Sequence, residues 1–180
     1  MIARTIFAGS GGQGVLTMGN ILGNAAMLED LYVTFLPAYG AAMRGGTANC
    51  TICISDEEIA SPIVTSPDSI LVMNQPSVFS FIERVDTNGK FIYNSSIVDT
   101  VPDRDDIQVF SVPASKIAQE MGNPRSVNMI MLGAFVKMTE VVKLETLHKS
   151  LGMLMGKKKK LLAATIEATA LGYNRFPFDS

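Results

Sequence analysis

Two glycine-rich segments carry the residues whose types and spacing could do chemistry. In the first, GSGGQG, Gly9, Gly11 and Gly14 form the pattern G-x-G-x-x-G between a strand-like run and a helix-like run. Glycines permit a sharp turn and a close approach of the backbone to a ligand, and the helix start beyond them presents free N–H groups to an anion. The sequence therefore predicts a phosphate-facing loop, called the glycine loop below, made of Gly9, Ser10, Gly11, Gly12, Gln13 and Gly14.

The two familiar nucleotide sites of this kind each lack a required residue. An NAD-binding loop is followed by an acid at the end of the second strand, about 20 residues on, whereas the second strand here ends in FLPAYG. An ATP-binding P-loop closes with Gly-Lys-Ser or Gly-Lys-Thr, which the sequence does not contain. Two alternatives remain: a tight turn that binds nothing, or a stand-alone NAD- or flavin-binding Rossmann-type protein.

The second segment is AYGAAMRGGTANC, residues 38–50, which places one arginine among small residues before a strand. Its candidate ligand-binding residues are Arg44, Gly45, Gly46 and Thr47. In a parallel sheet the loops after the first and second strands lie at the same edge, so Arg44 could face the same crevice as the glycine loop. The planar guanidinium suits a phosphate or a carboxylate. The alternative is a surface arginine in a flexible loop.

Short β-like runs alternate with helical patterns along the chain. The expected strands are ARTIFA, LYVTFL, TANCTICIS, SILVMN, KFIYNSS and DIQVFSVP. Pro37 is expected to end the second strand, and Pro76 to sit in the first turn of a helix. From Ala114 onward the chain reads as helical, with NPRS (123–126) as a loop and Gly172 as the C-cap of the last helix.

Several of these strands are almost wholly apolar, which is typical of parallel strands covered on both faces. The sequence thus predicts one domain, residues 1–180, of the α/β class. We expect a three-layer, Rossmann-like, mostly parallel sheet with helices on both faces and a helical C-terminal part.

Taken together, three segments resemble a known family. GSGGQGVLTMGNILGNAA, AYGAAMRGGTANCTICIS and EIASPIVTSPDSILVMNQPS are similar, in that order, to the gamma subunit of 2-oxoacid:ferredoxin oxidoreductases. The resemblance extends from Ile2 to about Tyr173 and is closest to enzymes of the 2-oxoglutarate or branched-chain 2-oxoacid type. An indolepyruvate oxidoreductase subunit is the alternative within the family, although YGAAMRGG lacks the glutamate and Gln-Arg pair usual there.

The resemblance implies a division of work among chains. Such complexes convert a 2-oxoacid and coenzyme A to acyl-CoA, CO2 and reduced ferredoxin, and the gamma subunit is similar to domain III of pyruvate:ferredoxin oxidoreductase, which helps to hold coenzyme A and covers the active site. Carried over by position, the glycine loop and Arg44–Thr47 would line the coenzyme A side, with Asn128 as a further contact. Thiamine diphosphate, magnesium and iron–sulfur clusters would lie in alpha, beta and delta-type partner subunits, and ferredoxin would be reached through the complex.

The remaining residues offer no catalytic or metal site of their own. Cys50 and Cys53 lie three apart on an expected strand and are interpreted as buried and structural. His148, the single histidine, is expected at the surface, and Lys157–Lys160 as a solvated face or a subunit contact. An isolated chain should therefore be inactive.

Composition and charge limit the partners and the cellular location that we expect for this chain. A net charge of -2 disfavours a nucleic-acid partner, and no apolar run is long enough for a membrane span. We see no signal peptide and expect a cytoplasmic protein. The 11 methionines and 47% hydrophobic residues suit a chain that buries part of its outside, against partners or in a homodimer when isolated. A purely structural module packing through Gly19 and Gly23 is a further alternative.

Overall fold

The structure is a computed structural model that describes residues 1–40, 46–156 and 158–178. Within these residues six strands form one sheet in the order β2-β3-β1-β4-β5-β6. The strands are β1 (Ile2–Ser10), β2 (Tyr32–Tyr39), β3 (Thr47–Ser55), β4 (Ser69–Val72), β5 (Lys90–Asn94) and β6 (Gln108–Val112). The helices are α1 (Val15–Met27), α2 (Gln75–Phe81), α3 (Ala114–Glu120), α4 (Val127–Thr139), α5 (Leu144–Met155) and α6 (Lys159–Arg175).

The sheet is mixed, with β3 as the one strand that runs against its described neighbours. Strands β1, β4, β5 and β6 pair in parallel, whereas β3 is antiparallel to both β1 and β2. The link from β2 to β3, residues 40–46, is too short for a parallel crossover, which needs a dozen or more residues. Because β2 and β1 still run in the same direction, the ends of both strands lie at the same edge, as predicted.

Helices cover both faces of the sheet, which confirms the three-layer α/β prediction. Phe7 points to the larger core with α1, α3 and α4, where its ring meets that of Phe135 edge-on at 4.8 Å. Ile6 and Ala8, its neighbours on β1, point to the opposite face and pack with α2. Helices α5 and α6 lie outside this sandwich, packed on α1 and α4, and form the helical C-terminal part.

Strand β2 continues through Pro37, so the prediction that this proline ends the strand is wrong. Gly40 N–H donates to Thr47 O at 2.7 Å. Because hydrogen-bonded and non-bonded pairs alternate along an antiparallel ladder, Pro37, opposite Cys50, falls in a non-bonded pair. Its missing N–H would have faced the open edge of the sheet, where a proline is tolerated.

Gly172 is not a C-cap, because α6 continues past it to Arg175. Instead it lies where α6 crosses α4. A Cβ on Gly172 would overlap with the carbonyl oxygen of Ile130, and one on Gly133 would overlap with that of Thr169. The two glycines thus allow the two helix backbones to touch, which no side chain at either position would permit.

Gly19 and Gly23 likewise serve packing inside the chain. A Cβ on Gly19 would lie 2.6 Å from Cys50 Sγ and 2.7 Å from the ring of Phe35, and one on Gly23 would lie 3.3 Å from Val33. Both glycines therefore fit α1 against β2 and β3 of its own sheet. This placement gives no support to the alternative in which they form a face for another protein.

The cysteine prediction is confirmed and the histidine prediction is wrong. Cys50 and Cys53 are both buried free thiols on β3, and burial raises the pKa of Cys50 to about 12. His148 is half-buried rather than exposed, since its Nε2 lies 3.1 Å from Thr169 Oγ1 on α6. Because partial burial disfavours the charged imidazolium, the pKa of His148 is lowered.

None of the described helices combines the length and apolar character needed to span a membrane.

Candidate functional site

The glycine loop joins the end of β1 to the start of α1 in a conformation that its sequence requires. Gly12 has φ 94° and Gly14 has φ 76°, both in the left-handed region that favours glycine. The first helical bond runs from Met18 N–H to Gly14 O at 3.0 Å. Helix geometry therefore leaves the N–H groups of Val15–Thr17 without an intrahelical acceptor, and Gly14 offers no side chain to cap them.

Gln13 folds back into the loop and does not point away from it. Its Oε1 accepts a hydrogen bond from Ser10 N–H at 2.7 Å, and its Nε2 donates to Met73 O at 3.3 Å. A Cβ on Gly9 would lie 2.7 Å from this Oε1, so Gly9 is needed to make room for the Gln13 amide. Gln13 thus shapes the loop from within.

Helix α4 approaches the same loop through Asn128. The Asn128 side chain packs so closely on Gly14 that a Cβ there would overlap with its Nδ2. Asn128, which the family resemblance suggested as a contact, is therefore next to the glycine loop although it lies far away in sequence. Its position in the first turn of α4 brings the start of this second helix to the loop.

Between the loop and α4 lies a cavity of about 470 Å³, called the crevice below. Its walls come from the glycine loop, the ends of β4 and β5, and the starts of α3 and α4, as expected for the carboxyl edge of parallel strands. It is lined by Gly12, Gln13, Met73, Asn94, Ile97, Ser115, Pro124, Arg125, Val127 and Asn128.

The electrostatics of the crevice favour an anion. Its lining includes Arg125 and, among the residues that the structure describes, no aspartate or glutamate. None of the ion pairs found in the described parts of the chain involves Arg125. The first turns of α1 and α4 contain no acid and have no side-chain cap, so the positive ends of both helix dipoles stay uncompensated.

The arginine segment reaches the loop, as far as it is described. Gly11 N–H donates to Gly46 O at 2.9 Å, and Thr47 pairs with Ser10 across the β1–β3 ladder. Gly46 and Thr47 therefore lie next to the glycine loop. Arg44 and Gly45 lie outside the described residues.

Arg125, Asn94 and Ser115 were missed by the sequence reasoning. Asn94 is fully buried, and its Nδ2 donates to Ser115 Oγ at 2.9 Å, which ties the end of β5 to the start of α3. NPRS was interpreted as a loop, but Pro124–Ser126 form a 3₁₀ turn that leads directly into α4. Pro124 and Ser126, which flank Arg125 directly before an apolar helical pattern, are residues typical of a helix start. This signal could have placed Arg125 at the start of α4.

Across the described ranges no cluster of three His, Cys, Asp or Glu side chains is placed to hold a metal ion. The hydrogen-bond donors that the site offers include the free N–H groups at the start of α1, the Asn128 amide and the Arg125 guanidinium. Such a set can bind and orient an anionic ligand.

The chain is an α/β protein with a crevice suited to an anion at the carboxyl edge of its parallel strands, and comparison with known proteins specifies its family. The model of the pyruvate ferredoxin/flavodoxin oxidoreductase family matches residues 4–175. The chain belongs to this family, whose curated members include subunits of 2-oxoacid:ferredoxin oxidoreductases, among them gamma subunits. The family predicted from the glycine and arginine segments is thereby confirmed.

Two relatives and one solved structure contain a region similar to this chain within polypeptides of different length. The chain is 40% identical over 133 residues to ketoisovalerate oxidoreductase subunit VorA of Methanothermobacter marburgensis, covering 74% of this chain and 28% of VorA. It is 36% identical over 152 residues to 2-oxoglutarate synthase subunit KorC of the same organism, covering 80% and 81%. The 2-oxoglutarate:ferredoxin oxidoreductase of Magnetococcus marinus, solved with 2-oxoglutarate, coenzyme A and succinyl-CoA, superposes with a TM-score of 0.88 and 26% identity, covering 96% of this chain and 30% of that one.

The chain thus spans less than a third of VorA but most of KorC. The same domain occurs both as part of a longer chain and as the larger part of a shorter one.

Proposed function

We propose that this chain is the gamma-type subunit of a 2-oxoacid:ferredoxin oxidoreductase complex and that its crevice holds the phosphate-bearing part of coenzyme A. The observation that carries this proposal is the convergence of two uncapped helix starts with Arg125 in an acid-free lining. Coenzyme A carries several phosphate charges, which such donors stabilise. The coenzyme A bound in the M. marinus enzyme supports this choice by family relationship.

The glycine loop would act through its backbone. A Cβ on Gly12 would meet no atom within 4 Å, so this residue opens onto free space at the lip of the crevice. Its exposed peptide and the free N–H groups of Val15–Thr17 could approach a phosphate closely. Arg125 would supply the neutralising charge from the opposite wall. Arg44, if it reaches the same ligand, would add a second fork of donors.

The chemistry of electron transfer and decarboxylation is assigned to partner chains. The two cysteines of the sequence are Cys50 and Cys53, and both are buried in the sheet, whereas an iron–sulfur cluster of the usual type needs four thiolates. Thiamine diphosphate, magnesium and the clusters are therefore proposed for alpha, beta and delta-type subunits. In this chain the named residues bind and orient coenzyme A and cover the site.

An apolar groove on the other side of α1 suits contact with such partners. It lies between the edge strand β2 and the end of α5, with a volume of about 420 Å³, and is lined by Leu16, Thr17, Asn20, Ile21, Phe35, Pro37, Tyr39, Leu154 and Met155. Tyr39 is 74% exposed and the adjoining Met153 72%. Apolar surface of this kind is buried against other chains in assemblies, so we propose it as a subunit contact. A homodimer of the isolated chain would use the same groove.

The proposed substrate is a 2-oxoacid of the 2-oxoglutarate or branched-chain type. VorA is named for ketoisovalerate and KorC for 2-oxoglutarate, and both are more than 30% identical to this chain. The side chain of the 2-oxoacid would be recognised in the thiamine-binding partner, since the crevice offers hydrogen-bond donors for an anion and no enclosed apolar pocket.

The direct test compares the isolated chain with the complex co-purified from its native host. We expect the isolated chain to be colourless, to bind coenzyme A in calorimetry in preference to NAD, and to turn over no 2-oxoacid with a viologen acceptor. The complex should oxidise a 2-oxoacid in a coenzyme A-dependent reaction. Preferential NAD binding, a bound chromophore, or turnover by the isolated chain would contradict the proposal.

A further inference from the structure

Asn74, which lies in the third of the segments that carry the family resemblance, links the glycine loop to the neighbouring strand end. It directly follows β4, the parallel neighbour of β1, and therefore emerges at the same sheet edge as the loop. Its Nδ2 donates to Ser10 Oγ at 2.6 Å and to Gln13 Oε1 at 3.2 Å. One side-chain amide thus holds both ends of the turn from Ser10 to Gln13.

The same side chain also caps the next helix. Asn74 is the N-cap of α2, and its Oδ1 accepts a hydrogen bond from Ser77 N–H at 3.0 Å. Both polar atoms of the Asn74 side chain are therefore hydrogen-bonded, Oδ1 to α2 and Nδ2 to the glycine loop. This double role needs a short side chain with an acceptor and a donor. Aspartate would keep the cap and lose the donor, and serine would keep the cap without reaching the loop.

The loop needs such support because two of its residues are glycines in left-handed conformations. Glycine loses more conformational freedom on ordering than any other residue. The Ser10–Gln13 turn is closed by Gln13 N–H to Ser10 O at 3.1 Å, and the Gln13 amide is held in turn by Met73 O and Asn74. A loop that is already ordered before binding avoids part of the entropy cost of capturing its ligand.

We infer that Asn74 is a positioning residue for coenzyme A: together with Gln13 it holds the glycine loop in its anion-binding shape and touches no ligand itself. The inference rests on the proposed function. It also gives Gln13 a supporting role: although Gln13 lines the crevice, its side-chain oxygen and nitrogen are used within the fold, on Ser10 N–H and Met73 O. Neither residue contributes a charge, so both act only through the geometry of the backbone N–H groups.

The test uses Asn74→Ser, with Asn174→Ser on the exposed face of α6 as the matched control. Residue-resolved hydrogen exchange on the full isolated chain reports loop order without any ligand. We expect exchange at the Ser10 and Gln13 amides to rise roughly 5- to 10-fold in Asn74→Ser, because about one hydrogen bond's worth of protection is lost. The Ser77 amide should keep its protection, since serine still caps α2, and Asn174→Ser should leave all three amides unchanged.

In the assembled complex the KM for coenzyme A should rise roughly 3- to 10-fold in Asn74→Ser, with kcat and the KM for the 2-oxoacid unchanged, because only the order of the loop is altered. Asn74→Asp keeps the cap but places a carboxylate at an anion site, so it should raise the KM for coenzyme A further. This second variant also serves if Asn74→Ser fails to fold.

Three results would overturn the inference. In one, the Ser10 and Gln13 amides of Asn74→Ser exchange at the wild-type rate, so that Asn74 only caps α2. In another, exchange rises and Arg125→Ala raises the KM for coenzyme A, but Asn74→Ser does not; the proposed function then stands and the positioning role fails. In the third, neither variant moves that KM, and the proposed function fails together with the inference that rests on it.

Discussion

Replacing Arg125 by alanine tests the assignment of the crevice most directly. Hydrogen bonds to charged groups contribute about 1.5–3 kcal/mol, whereas an exposed ion pair contributes about 0.2–1 kcal/mol. Arg125 is solvent-exposed on one side and lines the crevice on the other. We therefore expect Arg125→Ala to cost about 1–2 kcal/mol of coenzyme A binding, which corresponds to a rise of roughly 5- to 30-fold in the KM for coenzyme A.

The assay is steady-state turnover of the assembled complex at varied coenzyme A and varied ionic strength. The KM for the 2-oxoacid should stay unchanged. The variant should also show a shallower dependence of the coenzyme A KM on salt, because one screened charge is gone. Arg125→Lys should recover part of the loss, since lysine keeps the charge but not the planar fork. Lys149→Ala, which removes an exposed charge of the same sign from α5, is the control.

An Arg125→Ala complex that assembles normally and keeps the wild-type KM for coenzyme A, at low as well as at high salt, would refute the reasoning. The phosphates would then lie elsewhere. The crevice would have to be interpreted as an interface between subunits.

Further predictions concern the glycines and the buried thiol. Gly133→Ala should destabilise the chain by at least about 2 kcal/mol, because its Cβ overlaps with a backbone carbonyl of α6; Gly152→Ala, with no atom within 4 Å, should stabilise it by about 0.5–1 kcal/mol. Urea unfolding measures both, and shifts of the same sign would contradict the helix crossing. Gly14→Ala should cost about 1–3 kcal/mol at its positive φ, whereas Gly11→Ala, 3.8 Å from the nearest atom, should stay within about 0.5 kcal/mol. Cys50 should resist a thiol reagent in the folded chain, and since its pKa is raised from 9.0 to about 12, its contribution to stability should be lost as pH rises through this window. Cys50→Ala should then show a smaller fall in urea midpoint between about pH 8 and about pH 10 than the wild-type chain, by the linkage between ionisation and unfolding.

The strands and the glycine loop could be predicted because their signals are local. Each apolar run that was expected to form a strand does so, and Gly9–Gly14 lies between strand and helix as the spacing indicated. The antiparallel direction of β3 and the continuation of β2 through Pro37 could not be predicted from local signals. Both depend on which strand lies beside which, and a proline is tolerated only because β2 is at the edge of the sheet.

The wall of the crevice that carries Arg125 and Asn94 could not be predicted from local sequence patterns either, because it too depends on tertiary packing. Arg125 and Asn94 belong to segments that look ordinary by themselves, a short turn and a strand end. They become part of a site only when α4 and β5 are placed beside the glycine loop. Gly172 shows the same limit, because a glycine near the end of a helical pattern suggests a C-cap, whereas the contact with Ile130 is visible only in the folded chain.

The position of α4 connects the packing of the C-terminal helices to the proposed binding site. Gly133 and Gly172 allow α4 and α6 to touch backbone to backbone, while the Phe7–Phe135 contact holds α4 against the sheet. These two constraints fix the helix on both sides. The first turn of α4 is thereby set against the glycine loop, where Asn128 fills the space left by the missing Cβ of Gly14. A bulkier residue at the helix crossing should therefore disturb the crevice as well as the core, even though α6 contributes no residue to its lining.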